Sequence, residues 1–166
     1  MLSKNSRQPH RLTEQRPIKH ALPGKLVVVL LALLPCIASA LDYRSVVSPR
    51  ARPYDAPSAQ GKKLYVVAQG YPVEVIVNLG EWLKVRDNHG SLSWIESRQL
   101  VAKRMVLVTA AQAEVYQSAD ATAPLVFRAE KDVVLELIEP GTNGWVKVRH
   151  RDGLVGYIQS ASVWGL

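Results

Sequence analysis

The 166-residue chain is long enough for one medium domain or two small ones, and too short for a large multidomain enzyme. Its 21 basic residues outnumber its 14 acidic ones, giving a formal charge of +7, and 48% of its residues are hydrophobic, as is typical of globular proteins. The single cysteine excludes an intramolecular disulfide and a zinc site built from several cysteines.

The amino-terminal segment has the three-part plan of a secretory signal peptide. Residues 1–25 carry six basic residues and one acid, and residues 26–34 are apolar throughout. Ala38 and Ala40 then supply the small residues at positions −3 and −1 of a cut after Ala40. The sequence therefore predicts export, with the signal peptide ending at residue 40.

Two alternatives to a cleaved signal peptide are less favoured. A retained membrane anchor needs about 20 apolar residues, whereas residues 26–41 fall short and contain Pro35. A lipoprotein signal has a small residue before its acylated cysteine, whereas Pro35 precedes Cys36. We expect a periplasmic mature chain, residues 41–166, with no membrane span. Its 15 basic and 13 acidic residues give only +2, so we expect no nucleic-acid partner.

The mature chain contains an internal repeat. Residues 82–86 (Trp-Leu-Lys-Val-Arg) recur 63 positions later at 145–149 (Trp-Val-Lys-Val-Arg). Upstream the offset is 62, which aligns residues 73–76 with 135–138, and one added residue in the segment 139–144 accounts for the difference. Ordered correspondences with a single gap indicate two copies of one module.

Each copy is predicted to be a small barrel of about five short strands. The strand segments alternate with period two and are rich in β-branched and aromatic residues. Residues 87–90 and 150–153 have the composition of tight hairpin turns that end in a left-handed glycine. We predict barrels at residues 41–102 and 103–166, packed on each other across a connector near residues 102–104.

The period-two pattern also separates core from solvent. We expect Glu74 and Glu136 on solvated strand faces, Lys103 and Arg104 in a solvated linker, and His89 and His150 as solvated turn residues. The apolar residues predicted to form the core are Leu64, Val73, Val75, Leu83, Val85, Ile95, Val126, Leu135, Leu137, Val146, Val148 and Ile158.

The mature sequence offers no recognisable catalytic motif. Removal of Cys36 leaves no thiol, and His89 and His150 lack the spacing of a zinc site. Neither a Gly-x-Ser-x-Gly elbow nor a phosphate-binding glycine loop is present. We therefore expect no enzymatic activity, no cofactor and no metal, although paired carboxylates leave no sequence motif and stay open.

A motif spans the second half of each copy. In the second copy it comprises Gly144-Trp145, Val148, Gly153 and Gly156-Tyr157-Ile158. The first copy has Ser93 in place of the later glycine and keeps Trp94-Ile95. This pattern resembles the bacterial Src-homology-3 (SH3) domain, an SH3-like module of exported bacterial proteins.

The resemblance covers nearly all of residues 43–166, twice. Residues 52–58 approximate an earlier element of the family, Asn-Val-Arg-x-x-Pro, which residues 114–120 have lost. The resemblance implies an all-β fold of two tandem SH3-like barrels and a non-catalytic recognition function. It implies binding to a cell-wall peptide or glycan such as peptidoglycan, or to another envelope protein as a protein–protein interaction adaptor.

One face of the repeated Trp-x-Lys-x-Arg strand is the candidate ligand-binding surface. Because strand side chains alternate, its Trp, Lys and Arg lie opposite the core residues, where they suit stacking on a peptide or sugar and pairing with a carboxylate. The alternative is that the tryptophans cover core edges and the cations serve solubility. The candidate residues are Tyr54, Trp82, Lys84, Arg86, Trp94, Tyr116, Trp145, Lys147, Arg149 and Tyr157.

A basic stretch at residues 43–52 is a further candidate contact. It contains Arg44, Arg50 and Arg52. We expect it to suit an anionic wall polymer because its three arginines are cationic. Nothing in it reads a nucleic-acid base.

Overall fold

A computed structural model describes residues 41–141 and 143–166. The predicted signal peptide lies outside these residues. Within the described part, strands are the main regular structure, with two three-residue 3-10 turns, Ser97–Gln99 and Ser160–Ser162, and no α-helix. No helix there could cross a bilayer. The all-β prediction is confirmed.

The first module contains seven strands. They are β1 (Tyr43–Val46), β2 (Arg50–Ala51), β3 (Val67–Ala68), β4 (Pro72–Asn78), β5 (Trp82–Arg86), β6 (Leu92–Glu96) and β7 (Leu100–Val101).

The second module repeats this order. Its strands are β8 (Met105–Val108), β9 (Gln112–Tyr116), β10 (Leu125–Glu130), β11 (Val134–Glu139), β12 (Trp145–Arg149), β13 (Val155–Gln159) and β14 (Val163–Trp164). β8 and β9 begin 62 residues after their counterparts, whereas β12, β13 and β14 begin 63 after theirs. The change of offset falls between β11 and β12, as the sequence alignment predicts.

The strands are antiparallel, and their order differs between the modules in one respect. The first module has a sheet in the order β6-β5-β4-β1-β7 and a separate pair β2-β3. The second joins all its strands in the order β10-β9-β13-β12-β11-β8-β14. The prediction of closed barrels is wrong: both orders run between two edges in the described residues, because β7 and β14 have two residues each and pair only with β1 and β8.

Two small cores lie beneath these sheets, as the alternating pattern predicts. Leu83, Val85 and Ile95 are buried in the first module, with Val46, Ala51, Val67 and Val73. The core of the second consists of Val106, Val108, Ala113, Val115, Ala129, Leu135, Val146, Val148, Ile158 and Val163. Val75 and Leu137 pack at the edges of these cores.

Five predictions about burial are wrong. Val126 is only half-buried and lies outside the core of the second module, against which its neighbour Phe127 packs instead. Leu64 is 41% exposed, because it lies in the long loop between β2 and β3 and not in a strand of the main sheet. Glu74 is buried and forms an ion pair with Arg86, with Nη1 to Oε2 at 3.3 Å. Arg104 packs over the Tyr43 ring and donates a hydrogen bond to the Gly165 carbonyl. His150 packs against Phe127, with ring centroids 5.6 Å apart.

The two predicted hairpin turns are confirmed. Gly90 and Gly153 have φ values of 84° and 90°, a left-handed conformation that glycine adopts without steric cost. Each turn closes with a bond from the glycine N–H to a carbonyl three residues back, on Asp87 and on His150.

The modules contact each other through β1, β14 and the connector. The rings of Tyr43 and Trp164 meet edge to face at 5.3 Å, and Arg104 lies 5.4 Å above the Tyr43 ring. Arg104 also donates from Nη2 to the Gly165 carbonyl at 2.9 Å. Ser45 Oγ, also in β1, donates to the carbonyl of Lys103 at 2.7 Å. Both modules therefore belong to one compact unit, as predicted.

Candidate ligand-binding face

The first aromatic cluster consists of Tyr54, Trp82, Lys84 and Trp94. The register of β5 and β6 pairs Lys84 with Trp94, and the Lys84 ammonium lies 5.8 Å from the Trp94 ring centroid. Trp82 lies two residues before Lys84, so strand alternation places both on the face opposite Leu83. The two strands thus bring three of the candidate residues together on one partly exposed surface.

Tyr54 enters this cluster from the loop after β2. Its N–H donates to the Trp94 carbonyl at 2.7 Å, and the Trp94 N–H donates to the Tyr54 carbonyl at 2.8 Å. Its ring stands perpendicular to that of Trp82, with centroids 5.2 Å apart. Because Tyr54 is only 8% exposed, its ring packs behind Trp82 and fixes the orientation of the Trp82 ring.

The second aromatic cluster, Tyr116, Trp145, Lys147 and Tyr157, has nearly the same geometry. Lys147 lies 5.8 Å from the Tyr157 ring centroid, opposite which it is paired in the β12 and β13 register. The rings of Tyr116 and Trp145 meet edge to face at 5.8 Å. The repeat therefore reproduces an edge-to-face pair beside a lysine that covers an aromatic ring.

The charges around the two clusters differ. Lys147 Nζ donates to Glu139 Oε1 at 2.9 Å, and this bond raises the pKa of Lys147. Val77 occupies the Glu139 position in the first module and is exposed. No carboxylate among the described residues lies within 4.0 Å of Lys84 Nζ. Only the second lysine is neutralised by its own module.

Glu114 adds a second internal bond network to the second cluster. It accepts a hydrogen bond from the Tyr116 hydroxyl. It also accepts two hydrogen bonds from Arg128, from Nε and Nη2, and both of these measure 3.1 Å. These bonds, led by that of Tyr116, lower the pKa of Glu114, and the same carboxylate raises the pKa of Tyr116. The first module has Arg52 and Val66 at the Glu114 and Arg128 positions, so it lacks this network.

Two candidate residues lie apart from the clusters. Arg86 and Arg149 end their strands and pair with Glu74 and Glu136 at 3.3 and 3.6 Å. Lys103 also contacts Glu136, at 3.1 Å. These arginines satisfy carboxylates on the neighbouring strand, a role that their position in the Trp-x-Lys-x-Arg motif does not reveal.

A cleft of about 390 Å³, here called the arginine cleft, borders the first cluster. Arg50, Arg52 and Arg98 line it together with Tyr54 and Glu96. The sequence indicates the first two arginines as a basic stretch but not Arg98, which the Ser97–Gln99 turn carries into the cleft.

The arginine cleft continues into a second one of about 450 Å³ beside Trp82. Glu96 and Arg98 line both clefts. The Trp82 ring and the arginines therefore belong to one continuous surface.

The corresponding cleft of the second module has about 320 Å³ and a different lining. Gln112, Glu114 and Gln159 stand at the positions of Arg50, Arg52 and Glu96, and Tyr116 retains the position of Tyr54. The same shape thus carries arginines in one module and no cation in the lining of the other.

A groove of about 640 Å³ also lies between the modules. It is lined by Val46 and Gly70 of the first module and by Met105, Val134 and His150 of the second, among others. Nowhere in the described part of the chain do three His, Cys, Asp or Glu side chains gather in a way that could hold a metal.

Comparison with known proteins points to one family. The family model for the bacterial SH3 domain matches residues 47–101 and 109–165. A search of curated proteins gave no match.

Two solved structures are distant likenesses. The structure of NlpC2 from Trichomonas vaginalis has a TM-score of 0.35 and 13% identity, covering 75% of this chain and 48% of that one. The structure of NlpC1 from the same organism has a TM-score of 0.35 and 14% identity, covering 75% and 45%. This chain therefore spans less than half the length of either protein.

The family assignment rests on the two tandem matches, which together cover most of the chain and follow the repeat seen in its strands. The chain belongs to the bacterial SH3 domain family and contains two tandem copies of that domain.

Proposed function

We propose that this protein is an exported, non-catalytic binding protein of the periplasm that recognises peptidoglycan or its peptides through the aromatic clusters. The observation that carries this proposal is the same arrangement in both modules: an edge-to-face Tyr–Trp pair beside a lysine that covers an aromatic ring. A partly exposed ring beside a cation suits stacking on a peptide or sugar and pairing with a carboxylate. Bacterial SH3 domains are often cell-wall binding.

Sedimentation with isolated cell-wall sacculi tests the proposal. Purified residues 41–166 should pellet with sacculi above the level of an unrelated protein of similar size and charge. The double substitution Trp82→Ala with Trp145→Ala should weaken binding to sacculi at least about thirtyfold, because the loss of a single hot-spot aromatic costs ~2 kcal/mol. Trp164→Phe is the matched control, because Trp164 lies between the modules and Phe keeps its ring contact with Tyr43.

Two milder substitutions keep the proposal testable if the double tryptophan variant unfolds. Lys84→Ala and Lys147→Ala remove the two cations without removing a ring. Circular dichroism should show both variants folded. Absence of pelleting by the unsubstituted protein, or pelleting that none of these substitutions changes, would contradict the proposal.

A second candidate function, a protein–protein adaptor of the envelope, rests on a different surface. Leu64, Tyr65 and Val66 are consecutive and 41, 40 and 58% exposed. Contiguous apolar surface of this kind often marks a protein interface. Crosslinking in cells should then trap a defined protein that wall digestion does not release, and Val66→Asp should abolish the crosslink. Release by wall digestion would contradict the adaptor.

A further inference from the structure

The arginine cleft contains more positive charge than its own carboxylate neutralises. Glu96 accepts hydrogen bonds from Arg98 Nε at 3.0 Å and from Gln99 Nε2 at 2.7 Å. These bonds lower the pKa of Glu96, and the bond from Gln99 contributes most. The Glu96 carboxylate therefore stays ionised and is already bonded to Arg98 and Gln99. Arg50 and Arg52 have no carboxylate within 4.0 Å among the described residues. Two exposed guanidinium groups thus remain available to a ligand.

The second module shows what the same cleft looks like without this charge. Gln112 and Glu114 replace the two arginines, and Ala161 replaces Arg98. Glu114 is itself engaged by Arg128 and Tyr116. An anionic group that entered this cleft would meet a carboxylate and no lining cation, whereas in the first module three arginines surround the single carboxylate, so the two modules cannot bind an acidic ligand equally.

We propose that the arginine cleft of the first module binds a free carboxylate of a wall peptide, and that the second module does not bind one. This inference rests on the proposed function and assigns the ligand class to one module. The planar, bidentate fork of arginine matches a carboxylate. Glu96 in the same cleft repels a dianionic phosphate about twice as strongly as a singly charged carboxylate, because Coulomb repulsion scales with charge.

The neighbouring cleft determines how the ligand lies. The peptide chain lies along the Trp82 cleft, and its carboxylate reaches Arg50 and Arg52 past the shared Glu96–Arg98 wall. Tyr54 links both parts, since it lines the arginine cleft and fixes the Trp82 ring.

A small probe tests the carboxylate without cell walls. N-acetyl-alanyl-alanine and its carboxamide are titrated into 15N-labelled residues 41–166 and followed by NMR. The free acid should shift amide resonances at residues 50–54 and 96–99, and it should bind about tenfold more tightly than the carboxamide, because a hydrogen bond to a charged group is lost in the latter. Equal affinity for the two probes, or shifts confined to residues 112–116, would overturn the inference.

Exchange of the cleft residues between the modules supplies the matched control. Arg50→Gln with Arg52→Glu gives the first module the residues of the second and should remove the preference for the free acid. Gln112→Arg with Glu114→Arg should leave binding at residues 50–54 unchanged within about twofold. Loss of binding in the second pair alone would overturn the assignment to the first module.

Sacculi then separate this inference from the proposed function. Sacculi whose carboxyl groups are amidated should pellet the protein about tenfold less than untreated sacculi. Pelleting that depends on Trp82 but not on amidation supports the proposed function and overturns the carboxylate site. Absence of pelleting with free-acid binding at residues 50–54 overturns wall recognition and supports the carboxylate site, for which an acidic protein segment is then the ligand.

Discussion

The two modules share a strand framework but differ in the charges that surround it. Their strands β5 and β12 have the same pattern of burial, in which the second and fourth residues are buried. These residues are Leu83 and Val85 in β5, and Val146 and Val148 in β12. Yet Lys147 is bonded to Glu139, whereas Lys84 faces Val77 in the strand register. Repetition thus conserves what the fold needs, and the surfaces are free to diverge because exposed substitutions cost little stability.

A second difference concerns the position where the modules meet. Trp164 of β14 packs on Tyr43, whereas its counterpart in β7 is Val101, which is 41% exposed. The second module therefore supplies the large ring, and the first supplies the surface on which it rests.

The largest expected effect is that of opening a cavity in one core. Leu83→Ala should lower the free energy of unfolding by about 3 kcal/mol, because Leu83 is fully buried. Urea denaturation measures the change. Leu79→Ala, at a position 58% exposed, is the control and should change it by less than about 0.5 kcal/mol. A loss below about 1 kcal/mol for Leu83→Ala would contradict the assigned core.

The next effect distinguishes Gly156 from Ser93, its counterpart in the first module. A Cβ at position 156 would lie 2.6 Å from the Tyr116 carbonyl oxygen and 2.7 Å from Val115 Cγ1. Gly156→Ser should therefore cost about 2 kcal/mol, because the β9–β13 contact must move. Ser93→Gly should cost no more than about 1 kcal/mol. Thermal denaturation compares them, and equal losses would show that the two positions are not packed differently.

The contact between the modules gives a smaller effect. Single and double substitutions Tyr43→Ala and Trp164→Ala form a double-mutant cycle, for which we expect a coupling energy of about 1 kcal/mol from the edge-to-face rings. A parallel cycle of Tyr43 and Val101 should show coupling near zero. Coupling indistinguishable between the two cycles would mean that the Trp164 ring does not join the modules.

The smallest effect is a pH dependence in the second module. The pKa of Glu114 is lowered, mainly by the Tyr116 hydroxyl, so this carboxylate favours the folded state above its unfolded pKa. That contribution is lost as the pH falls through the lowered folded value. A carboxyl NMR titration should find the pKa of Glu114 below that of an ordinary glutamate, and Tyr116→Phe should raise this pKa. An unchanged titration in Tyr116→Phe would contradict this hydrogen bond as the cause.

The candidate site was only partly predictable from local pattern. Lys84 and Trp94 could be assigned to one face because strand alternation is a local property. Arg98 could not be placed in the arginine cleft, since its position depends on the Ser97–Gln99 turn and on residues about 50 positions earlier. Likewise, Glu74 alternates like a solvated residue but is buried by the folding of β1 and β5 on both sides of β4.

The sequence alone determined the repeat, the all-β class, the core face of β5 and β12 and the two glycine turns. These features follow from side-chain periodicity and from the conformations open to each residue, which act over a few neighbours. Only the tertiary structure decided which cations are neutralised, that the sheets stay open, and that Arg104 and Trp164 join the modules. Those outcomes depend on contacts such as that between Arg104 and Gly165, 61 residues apart, whose charges and rings meet only after the chain has folded.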